Sequence, residues 1–508
     1  MRHIFRSTLI LSFFFGLAKL LSFIRQVVIA RQFGLSGEMD AFNAANNYPD
    51  MLAALISGGA LAMAFIPVLA EYLQQGGLPK AWNLFSRVIN LTFLFAAVAS
   101  LFLALIAGPL VRWKFGIAPG FSASQQSLVA NLMRLDLIGT MIFSISGLVM
   151  AGLQANQHFW LPAMAPTLYN IGQLIGAFIL APSTGLRLGP ITLPAYGFGV
   201  YGLVYGVILG AALHLLIQVP GLIRYKFRWT PVLSLRDAGV RQVLSLMWPS
   251  LLAMFFFQLN FVARDNLASR LGEGAVTVLT YSWTLMQLPE TLIGTAIATV
   301  LLPTLAELIA RNERARYREM LNRVLRVLLA FTIPVVVLLM VCLPPLARVV
   351  FAFRGADNEL FVRTARAFLG GVIGYSLVET GVRAFYAQQK ARIPLLTAGL
   401  RMVVYVLLGV LLFRRLGPPG LGLADSLVAI GEGSLLFFLL DRNSPGILKV
   451  GRTLLRVGGA SCAAGLLAFG MMQFLPLPDL PLALASMVAG GVVVLPFIWP
   501  EIKLLTRL

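Results

Sequence analysis

Charged residues are scarce in this chain of 508 residues. Only 12% of them are Asp, Glu, Lys or Arg, whereas 58% are hydrophobic. A soluble domain carries about 25% charged residues, so this composition excludes a water-soluble fold. Apolar runs long enough to cross a bilayer recur along the chain, and they are continuous rather than alternating as in a β-barrel. The sequence therefore predicts an all-α polytopic membrane protein.

Cysteine and histidine are also scarce. Cys342 and Cys462 lie in apolar runs without a partner pattern, which indicates no disulfide framework. His3, His158 and His214 lack the spacing of metal ligands, and the acidic residues are scattered. A membrane-embedded transferase would need a metal-binding carboxylate cluster or a basic catalyst at a membrane face. We therefore predict no catalytic residue, metal or cofactor, and a protein that is not an enzyme.

Acidic residues are outnumbered two to one by basic ones, which gives a net charge of +20. Nucleic-acid binding could explain such an excess, but the basic residues are concentrated in connections between apolar runs. The two largest groups are Arg224, Lys226, Arg228, Arg236 and Arg241, and Arg311, Arg314, Arg316, Arg318, Arg323 and Arg326. Such groups are expected in cytoplasmic loops beside anionic lipids. The distribution thus predicts membrane lipids, and no nucleic acid, as partners.

About fourteen membrane-spanning helices are predicted from the apolar runs. They lie near residues 8–33, 40–74, 83–111, 127–152, 160–181, 197–223, 246–271, 275–310, 321–350, 362–387, 393–413, 419–440, 454–475 and 482–503. An even number of spans puts both termini on one side of the membrane. The positions of the Lys and Arg residues predict that this side is the cytoplasm.

Two parts of the chain repeat each other. The segment IPVLAEYL at 66–73 returns as LPTLAELI at 302–309, and the segment 155–158 with Pro162 returns at 387–390 with Pro394. The prolines of the two pairs are 236 and 232 residues apart, which corresponds to six spans. Because six is even, both copies enter the membrane in the same direction, as in transporters built from parallel repeats.

The repeat defines the predicted domain organisation. Two parallel six-helix lobes cover residues 1–225 (spans 1–6) and 243–441 (spans 7–12). Residues 226–242, with Trp229 among basic residues, are predicted to form an interfacial linker helix between them. Residues 442–508 form a C-terminal helix pair, spans 13 and 14.

Ionisable residues at membrane depth are the strongest indication of function in this sequence. Their desolvation costs free energy, so they are rare there unless function requires them. Lys19 and Arg25 lie in the first span, Asp40 begins the second, and Asn46 and Asn47 follow it. Basic groups exceed acidic ones among these charges of the first lobe. An anion such as a diphosphate would supply the missing counter-charge, so we predict an anionic cargo.

The seventh span adds Arg264 and Asp265 to this set of charges. We predict that both bind substrate together with Lys19, Arg25, Asp40, Asn46 and Asn47. The alternative is that such residues only pair with neighbours and hold helices together, which is the interpretation we favour for Arg31, Arg270, Arg392 and Asp425.

Several segments resemble the MurJ (MviN) lipid II flippases. They are residues 23–26, 30–34, 40–42, 64–72, 156–170, 265–274 and 383–387 with Pro394. The resemblance implies the fold of the multidrug/oligosaccharidyl-lipid/polysaccharide exporter superfamily, in a bacterial plasma membrane. It also implies alternating access that carries lipid II, a lipid-linked peptidoglycan precursor, from the inner to the outer leaflet, with cell-wall synthesis proteins as further partners.

The resemblance also implies roles for individual residues. Basic residues of the family's first span hold the diphosphate; Arg25 matches one of them, and Lys19 replaces an arginine. Asp40 matches the family's aspartate at the start of the second span. The two additional C-terminal helices line a groove that is taken to hold the polyprenyl tail.

This chain departs from the family pattern at several positions. It has Ala53 and Ala54 where many members have an arginine pair, and Thr284 and Gln287 where they have an arginine and a glutamate. Some members bind a cation beside the aspartate that matches Asp265. Because a lone carboxylate in a membrane needs a partner, we predict that Arg401 or Arg264 takes the place of that cation.

These departures leave three alternatives to lipid II transport. The chain could export another polyprenyl-diphosphate-linked oligosaccharide, or act as a drug/cation antiporter of the same superfamily. It could also be a scaffold that binds partners through its basic loops without moving cargo. Growth rescue of flippase-depleted cells and a drug-efflux assay separate these alternatives.

Overall fold

The structure, a computed structural model, describes residues 2–56, 59–185, 187–188 and 191–505. In these ranges it consists of α-helices and one short hairpin, formed by β1 (Arg187–Leu188) and β2 (Ile191–Thr192). The predicted all-α class is confirmed. The chain divides into two compact units, which we call unit 1 (Met1–Arg270) and unit 2 (Leu271–Leu508). The lobe boundaries derived from the repeat remain a prediction.

Unit 1 contains nine α-helices in the described ranges. They are α1 (Arg2–Phe33), α2 (Gly37–Ala45), α3 (Asn47–Ile56), α4 (Gly59–Arg112), α5 (Ala123–Ala155), α6 (Trp160–Ile175), α7 (Val200–Leu216), α8 (Val219–Arg224) and α9 (Ala238–Ala268). A π-helical turn, Gly176–Leu180, continues α6. Helix α4 is interrupted at Gly77, whose φ of 68° is readily adopted only by glycine.

Unit 2 also contains nine α-helices in the described ranges. They are α10 (Ala275–Pro289), α11 (Ala296–Ala310), α12 (Arg314–Val350), α13 (Gly355–Leu369), α14 (Gly371–Ala387), α15 (Arg392–Leu416), α16 (Pro418–Asn443), α17 (Gly451–Phe474) and α18 (Asp479–Leu505). A π-helical turn, Glu290–Thr295, joins α10 to α11.

Ten helical stretches of the described chain are long and apolar enough to cross a membrane. Two predicted spans are interrupted: the second is divided among α2, α3 and α4, and the eighth contains the π-helical turn after Pro289. Residues 57 and 58 of the second predicted span lie outside the described residues. Interrupted spans at corresponding positions of two repeats are typical of transporter binding sites. The total of fourteen spans stays a prediction.

The repeat is also present in the backbone. Helices α5 and α14 end 232 residues apart, and each is followed by a glutamine in the left-handed conformation, Gln157 (φ 58°) and Gln389 (φ 60°). In both places the next N–H bonds to the carbonyl five residues earlier, at 2.9 Å and 3.0 Å. These bonds satisfy carbonyls that the helix end leaves free. The repeated sequence therefore encodes a repeated helix ending.

The connection between α8 and α9 is not the helix predicted for residues 226–242. It contains no helix before Asp237, the residue that caps α9. The Asn90 side chain of α4 donates to the carbonyl of Thr230 at 2.8 Å, so the segment bonds to α4 rather than to itself. Pro231 also lacks the N–H that a continuous helix requires. The prediction of a linker helix was wrong for these two reasons.

Close helix contacts position α1. A Cβ atom on Gly172 of α6 would lie 2.4 Å from the backbone of Gly210 in α7, so only glycine permits this approach. Helix α6 packs in turn against α1, where the Asn170 side chain donates to the carbonyl of Ala18 at 3.2 Å. The α6–α7 pair therefore supports the helix that carries the predicted cargo-binding cations.

The predicted C-terminal helix pair packs against α12 of unit 2. Its helices α17 and α18 share an apolar core with α12 around the buried Cys342. Glu501 of α18 is fully buried and accepts hydrogen bonds from Arg326 of α12 (2.9 Å) and from Arg456 of α17. One carboxylate thus connects all three helices.

Candidate binding site in unit 1

Arg25 lies in α1 and is half-buried. Its Nη2 atom donates to the Ser22 hydroxyl at 3.5 Å, which is long for a hydrogen bond. Within the described ranges no carboxylate lies at ion-pair distance from its guanidinium, although Asp50 and Tyr169 act on it electrostatically. Arg25 is therefore a cation at membrane depth whose hydrogen-bonding capacity is largely free for a ligand.

Lys19 and Asp40, two further charged residues that are predicted to bind substrate, differ in accessibility. Lys19 is exposed and lies six residues before Arg25, about 9 Å along the helix axis. Asp40 has no exposed surface. It occupies the first turn of α2 behind the capping residue Ser36, where a helix N-terminus stabilises a carboxylate. In this conformation a ligand could therefore reach Lys19 but not Asp40.

Arg264 and Asp265 form an ion pair on α9, with 2.8 Å between Nε and Oδ1. The Asn47 side chain of α3 donates to the other carboxylate oxygen of Asp265 at 2.7 Å. All three side chains are buried. The predicted pairing of Asp265 with an arginine is thus confirmed for Arg264. These contacts connect α3 to α9, and the charges of Arg264 and Asp265 neutralise each other.

Asn46 lies at the break between α2 and α3, where it caps α2. Its Oδ1 atom is buried and has no hydrogen-bond partner among the residues that the structure covers. Leaving a buried acceptor unsatisfied costs about 1–3 kcal/mol. Of the predicted binding residues, Asn46 therefore offers a free acceptor, whereas Asn47 is already engaged.

A cavity of about 250 Å³ lies among helices α3, α5, α6 and α7. It is lined by Asp50, Ala53, Ala54, Asp136, Gly139, Thr140, Phe143, Tyr169 and Val207. Ala53 and Ala54 are the positions at which the sequence departs from an arginine pair. Their short side chains leave space beside two carboxylates. Arg25, the arginine that is predicted to bind the cargo, acts electrostatically on Asp50 and Tyr169 of this lining. The cavity and the predicted cargo-binding residue therefore lie in one electrostatic environment.

Sequence reasoning missed the polar residues of this cavity. Asp50 and Asp136 each interrupt an apolar run, and an ionisable residue at membrane depth is the signal that could have identified them. What the sequence does not show is that α3 and α5 direct both carboxylates towards one space. Within the described ranges no three His, Cys, Asp or Glu side chains converge as potential metal ligands.

Unit 2 contains a different arrangement around Arg401 of α15. Its guanidinium lies 3.4 Å from Asp425 and 3.4 Å from Glu432, both on α16. It also lies over the ring of Tyr375, 4.6 Å from the ring centroid, and donates to the hydroxyl of that tyrosine. Arg401 is only 8% exposed, so its charge is satisfied inside unit 2.

Comparison with protein families gives one match that spans most of the chain. The family described as "Lipid II flippase MurJ" matches residues 29–476. A protein of Burkholderia cenocepacia called "Lipid II flippase MurJ" is 32% identical over 496 residues, which cover 93% of this chain and 91% of that protein. A "Probable lipid II flippase MurJ" of Vibrio cholerae is 26% identical, over 86% of this chain and 82% of the relative.

Solved structures show the same fold. The structure described as "Lipid II flippase MurJ, inward closed conformation" superposes with a TM-score of 0.79 at 22% identity, over 96% of this chain and 98% of that chain. An inward-facing multidrug resistance transporter of the MATE family has a TM-score of 0.69 at 14% identity, over 85% of this chain and 96% of that one. At these identities the likeness concerns the fold alone.

Proposed function

Because the chain belongs to the lipid II flippase MurJ family, we propose that it binds lipid II in unit 1 and carries it from the inner to the outer leaflet. It is a multi-pass bacterial membrane protein. We further propose that the membrane is the plasma membrane, that both termini are cytoplasmic, and that the cargo crosses without chemical change.

The surroundings of Arg25 are the observation that best supports this proposal. It is a half-buried cation with one long hydrogen bond, to Ser22, and no carboxylate at ion-pair distance among the described residues. Asp50 acts on the guanidinium electrostatically but lies beyond ion-pair distance, so no carboxylate takes up the hydrogen bonds of Arg25. A diphosphate supplies an opposite charge and accepts two parallel hydrogen bonds from a guanidinium.

Lys19 would act with Arg25 as a second, weaker contact. It is exposed on the same helix, and its ammonium group is a mobile point charge that can follow the phosphates of a moving cargo. Asn46 Oδ1 is buried here and would accept a hydrogen bond from the head group only in a conformation that exposes it. Alternating exposure of this site would follow from rocking of two parallel repeats.

The test is rescue of growth in a conditional flippase-null strain. Arg25→Ala should abolish rescue, because the diphosphate loses its principal cation. Arg25→Lys should restore only part of it, because an ammonium cannot form the bidentate contact. Arg112→Ala is the control: this arginine is exposed at the end of α4, and its variant should rescue fully. All variants are first matched for their amount in the membrane.

The rival functions predict other outcomes. Full rescue by Arg25→Ala at normal expression would remove Arg25 from the binding site. Failure of the wild-type chain to rescue, together with drug efflux from the same cells, would favour the antiporter. Neither activity in cells that contain normal amounts of protein would favour the scaffold.

A further inference from the structure

The cavity in unit 1 contains a carboxylate that no protein group satisfies. Asp136 of α5 lines the cavity and is 5% exposed. Its side-chain oxygens make no hydrogen bond or ion pair with any residue that the structure describes. An isolated buried carboxylate is too costly to remain charged without compensation. Asp136 therefore needs a cation or a proton from outside the chain.

The helices packed against Asp136 add negative charge rather than removing it. Helix α3 contributes the carboxylate of Asp50, which acts on Asp136 electrostatically, and α6 contributes the neutral hydroxyl of Tyr169. Helix α7 contributes Val207, and no lining residue comes from α2, α4 or α8. On α5 itself, Arg134 is exposed and bonded to Asn131. The buried carboxylate thus faces a second carboxylate and no cation of its own.

Arg25 of α1 compensates only one of these two carboxylates. Arg25 acts electrostatically on Asp50 and on Tyr169. The charged group that acts on Asp136 is Asp50 and not Arg25. One guanidinium and two carboxylates leave one uncompensated negative charge. Of the two carboxylates that line the cavity, Asp50 is exposed, whereas Asp136 is only 5% exposed and faces the negative charge of Asp50, so Asp136 is the one that favours the protonated form.

The oxygen atoms of the cavity favour a proton over a metal ion. An alkali cation needs several oxygens that converge on it. Besides the two carboxylates, the lining offers only the hydroxyls of Thr140 and Tyr169 as side-chain oxygens, and no third acidic side chain converges there among the described residues. A proton needs no such shell. We propose that Asp136 and Asp50 form a proton-binding site, in which Asp136 holds one proton while Arg25 compensates Asp50.

This site is coupled to the cargo site, a step that rests on the proposed function. An anion bound to Arg25 adds negative charge beside Asp50 and competes for the guanidinium that compensates it. The proton affinity of the carboxylate pair therefore rises when the anion binds. By thermodynamic reciprocity, a proton in the cavity increases the affinity of Arg25 for the anion by the same factor. Cargo and proton are thus expected to bind together.

The first experiment detects the proton directly by infrared spectroscopy of the purified full-length chain in lipid nanodiscs. We expect a carbonyl-stretching band of a protonated carboxylic acid at neutral pH, and Asp136→Asn should remove it. Asp265→Asn is the matched control, because that carboxylate is buried but paired with Arg264, and the band should stay. A wild-type spectrum without the band overturns the proposal whether or not any variant folds. So does a band that survives Asp136→Asn, or one that sodium removes at constant pH.

A second variant tests the pair. Asp50→Asn removes the neighbouring negative charge, so the pH at which half of the band remains should fall by about one unit. This variant leaves Asp136 in place and gives an answer even if Asp136→Asn fails to fold. An unchanged midpoint would show that the two carboxylates do not share a site and would overturn the proposal.

The coupling is tested with inorganic pyrophosphate as the probe in weakly buffered solution. Wild-type protein should take up protons when pyrophosphate is added, and Arg25→Ala should lose this uptake while it keeps the infrared band. The infrared band reports the proton site, and the proton uptake reports its coupling to anion binding. If the band is present and pyrophosphate causes no uptake, the proton site stands and its coupling to Arg25 is overturned, whereas binding at Arg25 is tested separately by growth rescue.

Discussion

Two arginines at membrane depth, one in each unit, have opposite surroundings. Arg25 of unit 1 has a single long hydrogen bond to a hydroxyl. Arg401 of unit 2 has two carboxylates within 3.4 Å and a tyrosine ring beneath its guanidinium. The first charge is available to a ligand, and the second is satisfied within its own unit. The presence of a buried arginine therefore says little about function until its partners are known.

The same distinction exists inside unit 1. Arg264 is paired with Asp265, whereas Arg25 is not paired at comparable distance. Two arginines of one unit thus differ in whether a carboxylate satisfies them. We expect Arg264 and Arg401 to be required for folding and Arg25 for transport, and three measurements test this difference.

Arg401→Met should give the largest loss of stability. It would leave Asp425 and Glu432 buried without a counter-charge, and breaking a buried pair in this way costs about 3–5 kcal/mol. The free energy of unfolding is measured in detergent by denaturant titration with circular dichroism. Arg415→Met is the control, because that residue is exposed at the end of the same helix. A loss below about 1 kcal/mol would contradict the difference between the two arginines, because Arg401 would then not be required for stability.

Asp265→Asn and Arg264→Met should show an intermediate effect as a double-mutant cycle. Because the two side chains are in direct contact at 2.8 Å, we expect a coupling energy of about 0.5–3 kcal/mol in the free energy of unfolding. A second cycle combines Asp265→Asn with Arg270→Met, whose guanidinium bonds to Lys114 and Asn266 instead. That cycle should be additive. Coupling in the second cycle but not the first would contradict the observed pairing.

Arg25→Ala should have the smallest effect on stability, within about 0.5 kcal/mol, because it removes one long hydrogen bond and because Asp50, on which the guanidinium acts, is exposed. The same variant is expected to abolish growth rescue. Unfolding is measured on protein purified from the cells that are used for the rescue assay, so that the two effects can be compared directly. If Arg25→Ala destabilised the protein as much as Arg401→Met does, Arg25 would be a structural residue as well.

The architecture could be predicted from the sequence because it depends on local patterns. The all-α class follows from apolar runs, and the repeat at 155–158 and 387–390 predicts two similar segments, which do end in the same backbone conformation. The linker helix was predicted wrongly because a basic, Trp-containing segment looks amphipathic by composition. Its backbone is bonded to Asn90, about 140 residues away in sequence, and no local pattern reports such a partner.

The candidate site could be predicted only in part. Lys19 and Arg25 stand out as cations in an apolar run, and the pairing of Asp265 with an arginine was expected from charge balance. Asp50 and Asp136 belong to helices α3 and α5, and only the packing of those helices brings both to one cavity. Periodicity gives the face of a single helix, but it does not tell which faces of two helices meet.

Glu501, the buried carboxylate between Arg326 and Arg456, has a consequence for biosynthesis. It follows Arg326 by 175 residues in the chain. At a translation rate of roughly 5–20 residues per second, Arg326 enters the membrane about 9–35 s before its counter-charge is made. Until then α12 presents an unpaired cation and an apolar face that α17 and α18 will later cover. The ribosome therefore sets the time at which unit 2 can complete its packing, and a stalled chain would expose this incomplete surface to quality-control proteases.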